Sequence, residues 1–169
     1  MSTADAVARE AAWLSTVSGD SLPFLPASAG GPFEVIAPYW QGAQTRTQAP
    51  AIYVLRAQMT SLRVANQRVR LRYRMTLDVH WPIRVTGPGA SSIAATEQQN
   101  LDDAIELLRQ RIAGPLGDKS HGGRFQAAGE AKTLPGMTVD FPQAETTIKA
   151  AKEIRASVVY YCDDYEISD

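Results

Sequence analysis

From Arg68 to Trp81 the chain reads RVRLRYRMTLDVHW, and its polarity alternates without a break. Val69, Leu71, Tyr73, Met75, Leu77, Val79 and Trp81 fall at one parity, and Arg68, Arg70, Arg72, Arg74, Thr76, Asp78 and His80 at the other. A period of two predicts a β-strand. Strict alternation also predicts one buried face, one face meeting water or a partner, and antiparallel neighbours. At ~3.3 Å per residue the strand would run roughly 45 Å, far beyond the usual length. The segment before it, AIYVLRAQMTSLRV from Ala51, with a turn at Ala65-Asn66-Gln67, predicts its hairpin partner.

Other elements follow from spacing and punctuation. Val7, Ala11, Leu14 and Val17 predict a helix over 4–17, with Ser2 or Thr3 as N-cap and Gly19 as stop. Residues 18–50 contain PFLPASAGGP and QGAQTRTQAP and read as a loop-rich stretch or arm, with a short strand at Phe33 to Ala37. Thr86-Gly-Pro-Gly89 breaks the sheet. Ser91 or Ser92 then opens an amphipathic helix with Ile93, Leu101, Ala104, Ile105, Leu108 and Ile112 on one face, ending at Gly114-Pro115. Short strands are expected around Arg124 to Ala128 and Met137 to Phe141, a charged helical segment from Ala144 to Ile154, and a final strand from Ala156 to Ile167. The pattern predicts one α+β domain over 1–169. Residues 51–169 form its core, an antiparallel or mixed β-sheet with the N-terminal helix and one long amphipathic helix packed on it. Leu101, Ile105, Leu108 and Ile112 are expected to pack on Val69, Leu71, Tyr73 and Leu77.

Charge is segregated rather than abundant. The formal net charge is -1 with a pI near 6.1, which excludes the globally basic signature of a generic nucleic-acid binder. Yet seven of the thirteen arginines lie between Arg56 and Arg84, while the end of the chain, from Cys162, carries Asp163, Asp164 and Glu166. The arginine face admits three readings: cross-strand pairing with these carboxylates, a subunit interface, or phosphate contact. Asp5, Arg9 and Glu10 interrupt the N-terminal segment, so neither a signal peptide nor a membrane span is expected, and no apolar run approaches ~18 residues.

Candidates for chemistry are few. The lone Cys162 excludes an internal disulfide and a multi-cysteine zinc site, and neither metal nor cofactor is expected. A Cys–His nucleophile would need Cys162 beside His80 or His121, the two histidines. His80 falls on the arginine parity and reads as a surface imidazole, whereas Cys162 reads as a small core residue. His121-Gly122-Gly123 has no accompanying G-x-S-x-G elbow, and Gly87-Pro-Gly-Ala-Ser-Ser92 lacks the lysine of a phosphate-binding loop. Asp102, Asp103 and Glu106 read as a solvated helix face. No catalytic residue is expected.

The order of elements, with the second helix entered by Ala-Thr-Glu-Gln-Gln-Asn-Leu-Asp-Asp-Ala-Ile-Glu-Leu-Leu and a final strand with an acidic end, resembles the tail-terminator, or head–tail joining, proteins of long-tailed bacteriophages. The resemblance covers most of the chain from Ala51 onward. It implies a non-enzymatic α+β subunit of a homo-oligomeric ring, usually a hexamer, that caps the tail tube and joins it to the neck. The implied partners are other copies of the chain, tail-tube and neck proteins, and passing DNA in transient contact. No membrane is implied, and the implied location is the virion after assembly in the host cytoplasm. Residues 18–50 are longer than a minimal subunit of this kind needs, which suggests an insertion or an arm to the adjacent subunit. The arginine row and Asp163, Asp164 and Glu166 are then candidates for the subunit seam or the lumen. A nucleic-acid-binding module using the arginine strand is the alternative, and a small hydrolase the third reading.

Overall fold

The computed structural model describes residues 3–17, 23–39, 49–83, 90–114, 119–123, 125, 127–128, 136–141 and 153–167. The alternating segment is strand β3 (Arg68–Pro82), 15 residues long, and it joins β2 (Ala51–Ala65) through a tight turn at Asn66 and Gln67. On its other side β3 pairs antiparallel with β6 (Glu153–Ile167) along its whole length. The sheet grows from this three-strand centre. β1 (Val35–Pro38) adds to β2 in parallel, so the sheet is mixed. β4 (Ala127–Ala128) and β5 (Met137–Asp140) both pair antiparallel with β6, giving six strands among the described residues.

Helix α1 (Thr3–Leu14) buries Ala6, Val7, Glu10, Ala11 and Leu14, one stripe at helical spacing. It stops three residues before the expected end. The Ser15 hydroxyl donates to the Ala11 carbonyl at 2.8 Å beside the Ser15 N–H, and the Thr16 hydroxyl donates to Ala12 at 3.2 Å, whose carbonyl the Thr16 N–H has passed over for Trp13. Val17 is consequently half exposed. Helix α2 (Ala90–Ala113) packs through its second half, where Leu101, Ala104, Ile105, Leu108 and Ile112 are buried in one cluster with Leu71, Tyr73 and Leu77, while Val69 packs at its margin. The expected helix-on-sheet core is present, and the architecture is α+β.

Part of the loop-rich stretch belongs to the body. Leu25 and Phe33 are fully buried in the main core, and Phe33 meets the Trp81 ring edge-on at 6.1 Å. Between them a 3-10 turn (Ala27–Ala29) is capped by Gly30 and followed by Gly31, where a Cβ would stand 2.2 Å from the Leu25 carbonyl oxygen. Only glycine tolerates that approach. Residues 18–22 and 40–48 lie outside the described residues, as does 142–152, and with it most of the charged helical segment expected over 144–154. Glu153 and Ile154 are strand, not helix, because Pro82 and Trp81 of β3 offer them ladder partners.

Candidate functional site

The two faces of the sheet carry two different polar centres. On the open face, Arg68, Arg70, Arg72 and Arg74 stand opposite Ile167, Tyr165, Asp163 and Tyr161 of β6. Arg72 donates from Nε at 2.7 Å and Nη2 at 2.9 Å to the two oxygens of Asp163, and Arg70 Nη2 also donates to Asp163. Burial alone would push the Asp163 carboxyl up, but hydrogen bonds from Arg72 and Arg70 outweigh it and hold the group below the usual range. The Arg68 guanidinium lies over the Tyr165 ring at 4.0 Å and that of Arg72 over Tyr161 at 5.9 Å. Four guanidiniums thus share this stretch of sheet with one carboxylate and two tyrosines.

Farther along the same face the charge changes sign. His80 Nε2 lies 2.9 Å from Asp78 and Nδ1 3.5 Å from Glu153, which also accepts from Arg155. Tyr53 covers the imidazole edge-on at 5.3 Å. The sequence reading placed His80 on the surface, whereas only 7% of it is exposed, because Tyr53 of β2 and Glu153 of β6 close over it. The hydrogen bond to Asp78 raises its pKa above the ordinary value, against burial and Arg155.

The acidic end of β6 is split between the faces. Asp163 faces the arginines, but Asp164 is on the other parity, where it accepts from Arg9 Nη1 of α1 at 3.1 Å. Glu166 stands opposite Val69 in register, not opposite an arginine. The candidate residues are therefore brought together only as Arg70–Asp163–Arg72.

The core face carries a centre absent from the sequence expectations. Glu10, His121, Tyr160 and Cys162, from α1, the turn after α2, and β6, are all fully buried. His121 Nδ1 lies 3.0 and 2.9 Å from the two Glu10 oxygens, and the Tyr160 hydroxyl donates to Glu10. The His121 ring stacks on Trp13 at 3.6 Å and 3°, and Arg111 Nη2 donates to the Trp13 carbonyl at 2.7 Å. His121 holds a left-handed backbone, φ 49°, followed by Gly122 and Gly123 at 72° and 74°. One signal was available for Glu10: it sits on the apolar stripe of α1 between Val7 and Leu14.

A thiol, an imidazole and a carboxylate together have the composition of a nucleophilic triad. Their geometry opposes that role. Nε2 of His121 faces the Ile112 carbonyl at 3.4 Å, and burial, then Glu10 and Asp163, push the Cys162 thiol well up. Asp102, Asp103 and Glu106 are exposed on α2, with Glu106 held by Arg109. Among the described residues, no helix is long and apolar enough to cross a membrane. No protein-family model matches the chain, and no curated protein matches it in sequence.

Proposed function

We propose that this chain is a structural subunit of a homo-oligomeric ring, of the tail-terminator or head–tail connector kind found in long-tailed bacteriophages, and that it works in the virion without catalysing a reaction. The observation that carries the reading is the outer half of the β2–β3 hairpin. From Arg56 to Ala65, β2 is exposed, including Met59, Leu62 and Val64 at 44%, 58% and 47%. β1 covers its outer edge only from Ala51 to Val54, and beyond that no strand pairs with that edge among the described residues. An edge of this length bearing apolar side chains is a template for another chain. Copies added head to tail through it close into a ring when the rotation allows. Met59→Glu with Leu62→Glu is expected to leave the fold intact and abolish closed rings seen by electron microscopy of concentrated protein. Wild-type protein that forms no ring alone or on isolated tail tubes would overturn the proposal.

A nucleic-acid-binding module is the second reading, and one observation favours it. Guanidiniums placed over the rings of Tyr165 and Tyr161 on an open sheet face have the chemistry of single-strand and backbone recognition. Tight DNA binding by a monomer, falling steeply with salt, would favour this reading over the ring.

A further inference from the structure

We propose that Glu10, His121 and Cys162 form a buried structural site for one divalent transition-metal ion of the zinc class. This goes beyond the ring reading and does not depend on it. The three donors come from three separate elements, all are 0% exposed, and one ligand atom of each lies within 4.8 Å of the others. A tetrahedral zinc complex with Zn–N near 2.0 Å and Zn–S near 2.3 Å sets neighbouring donors about 3.3–3.7 Å apart. Loading therefore needs the carboxylate and imidazole to part by a few tenths of an ångström and the sulfur to draw in.

The surroundings fit a ligand set. His121 presents Nδ1 to the cluster while Nε2 faces the Ile112 carbonyl at 3.4 Å. That carbonyl is the kind of outer partner that takes the second ring N–H of a metal-bound histidine and fixes its tautomer. The Tyr160 hydroxyl donates to Glu10 Oε1, so Oε2 is the oxygen left for a metal. One thiolate, one imidazole and one carboxylate suit zinc or cobalt rather than magnesium or calcium. Charge also balances: the ion's two positive charges offset the carboxylate and the thiolate, so the closed site holds no net charge. Binding forms bonds from the metal to a Glu10 carboxylate oxygen, Nδ1 and Sγ, with one water held in the fourth tetrahedral position, and releases the thiol proton to solvent, along with any proton that Nδ1 shares with Glu10. Because the site is closed on all sides, it loads as the chain folds.

The test uses tag-free, full-length protein. Native mass spectrometry of protein made in zinc-supplemented cells should show one metal ion per chain. Refolding with cobalt should give a thiolate-to-cobalt charge-transfer band, and refolding with chelator should lower the melting temperature. Cys162→Ser and His121→Gln should lose the metal, while Tyr160→Phe should keep it. If those two variants do not fold, the cobalt band of the refolded wild type decides. Wild-type protein that is metal-free as isolated, shows no cobalt band and melts at the same temperature with zinc and with chelator overturns the site.

Discussion

Arg72 stands directly opposite Asp163 in the β3–β6 ladder and holds both oxygens of its carboxylate, while Arg70, two residues away, holds the same group from the side. Opposite charges facing each other across a ladder need no further chain to neutralise them. One carboxylate nevertheless serves two guanidiniums, so the face keeps a positive excess.

That sharing makes Asp163 the costliest residue of the strip to remove. Asp163→Asn should destabilise the fold by about 2 kcal/mol, since bonds to charged groups are lost at a carboxylate with 8% side-chain exposure. Arg70→Ala, at 34% side-chain exposure, should cost less than Arg72→Ala. Urea unfolding of the three variants gives the order.

The acid limb of stability should carry the same signature. Asp163 has a lowered folded pKa, so its contribution is complete above the ordinary carboxylate value of 3.8 and is lost as pH falls through the lowered value. In the Asp163→Asn variant, unfolding free energy should fall less steeply over that window than in the wild type.

His80 should act in the opposite direction. Its folded pKa is raised above 6.5, so its contribution is complete below that value and is lost as pH rises through the raised one. His80→Gln should flatten stability against pH on the alkaline side of 6.5, and a variant curve parallel to the wild type's would contradict the role of Asp78.

Leu108 is fully buried where α2 meets the sheet. Leu108→Ala should cost about 2–5 kcal/mol through lost transfer energy and a residual cavity. A loss of under roughly 0.5 kcal/mol is what an exposed position would give.

Met59 and Leu62 should behave the other way. Both are exposed, so Met59→Glu and Leu62→Glu should each change unfolding free energy by no more than roughly 0.5 kcal/mol while reducing ring formation. Calorimetry beside sedimentation separates the two effects.

What was legible came from periodicity. The alternation of β3, the apolar face of α2 and the turn at Asn66-Gln67 are local patterns, and the structure follows them closely. The departures arise where distant residues decide. Glu153 looks helical among Lys149, Lys152 and alanines, but the ladder partner Pro82 makes it strand. Asp163 and Asp164 are adjacent in the chain, yet the pleat sends them to opposite faces, one to Arg72 and the other to Arg9. His121 was unreadable as a buried group, because its position depends on a left-handed turn meeting Glu10 from the far end of the chain. Charge reversal at Arg72 would consequently damage folding as well as any assembly.

The registers of β3 with β2 and β6 also set how the molecule bears load. In antiparallel ladders the hydrogen bonds lie perpendicular to the strands. A pull along the axis of β3 therefore strains the bonds to both neighbours simultaneously, and shear failure requires them to yield together. A pull across the sheet on the outer edge of β2 strains them one after another and peels the hairpin like a zip. Tension applied to the molecule along the hairpin axis is carried into the sheet through two ladders, one spanning all fifteen residues of β3 and the other nearly all of them. The same hairpin is stiff lengthwise and weak sideways.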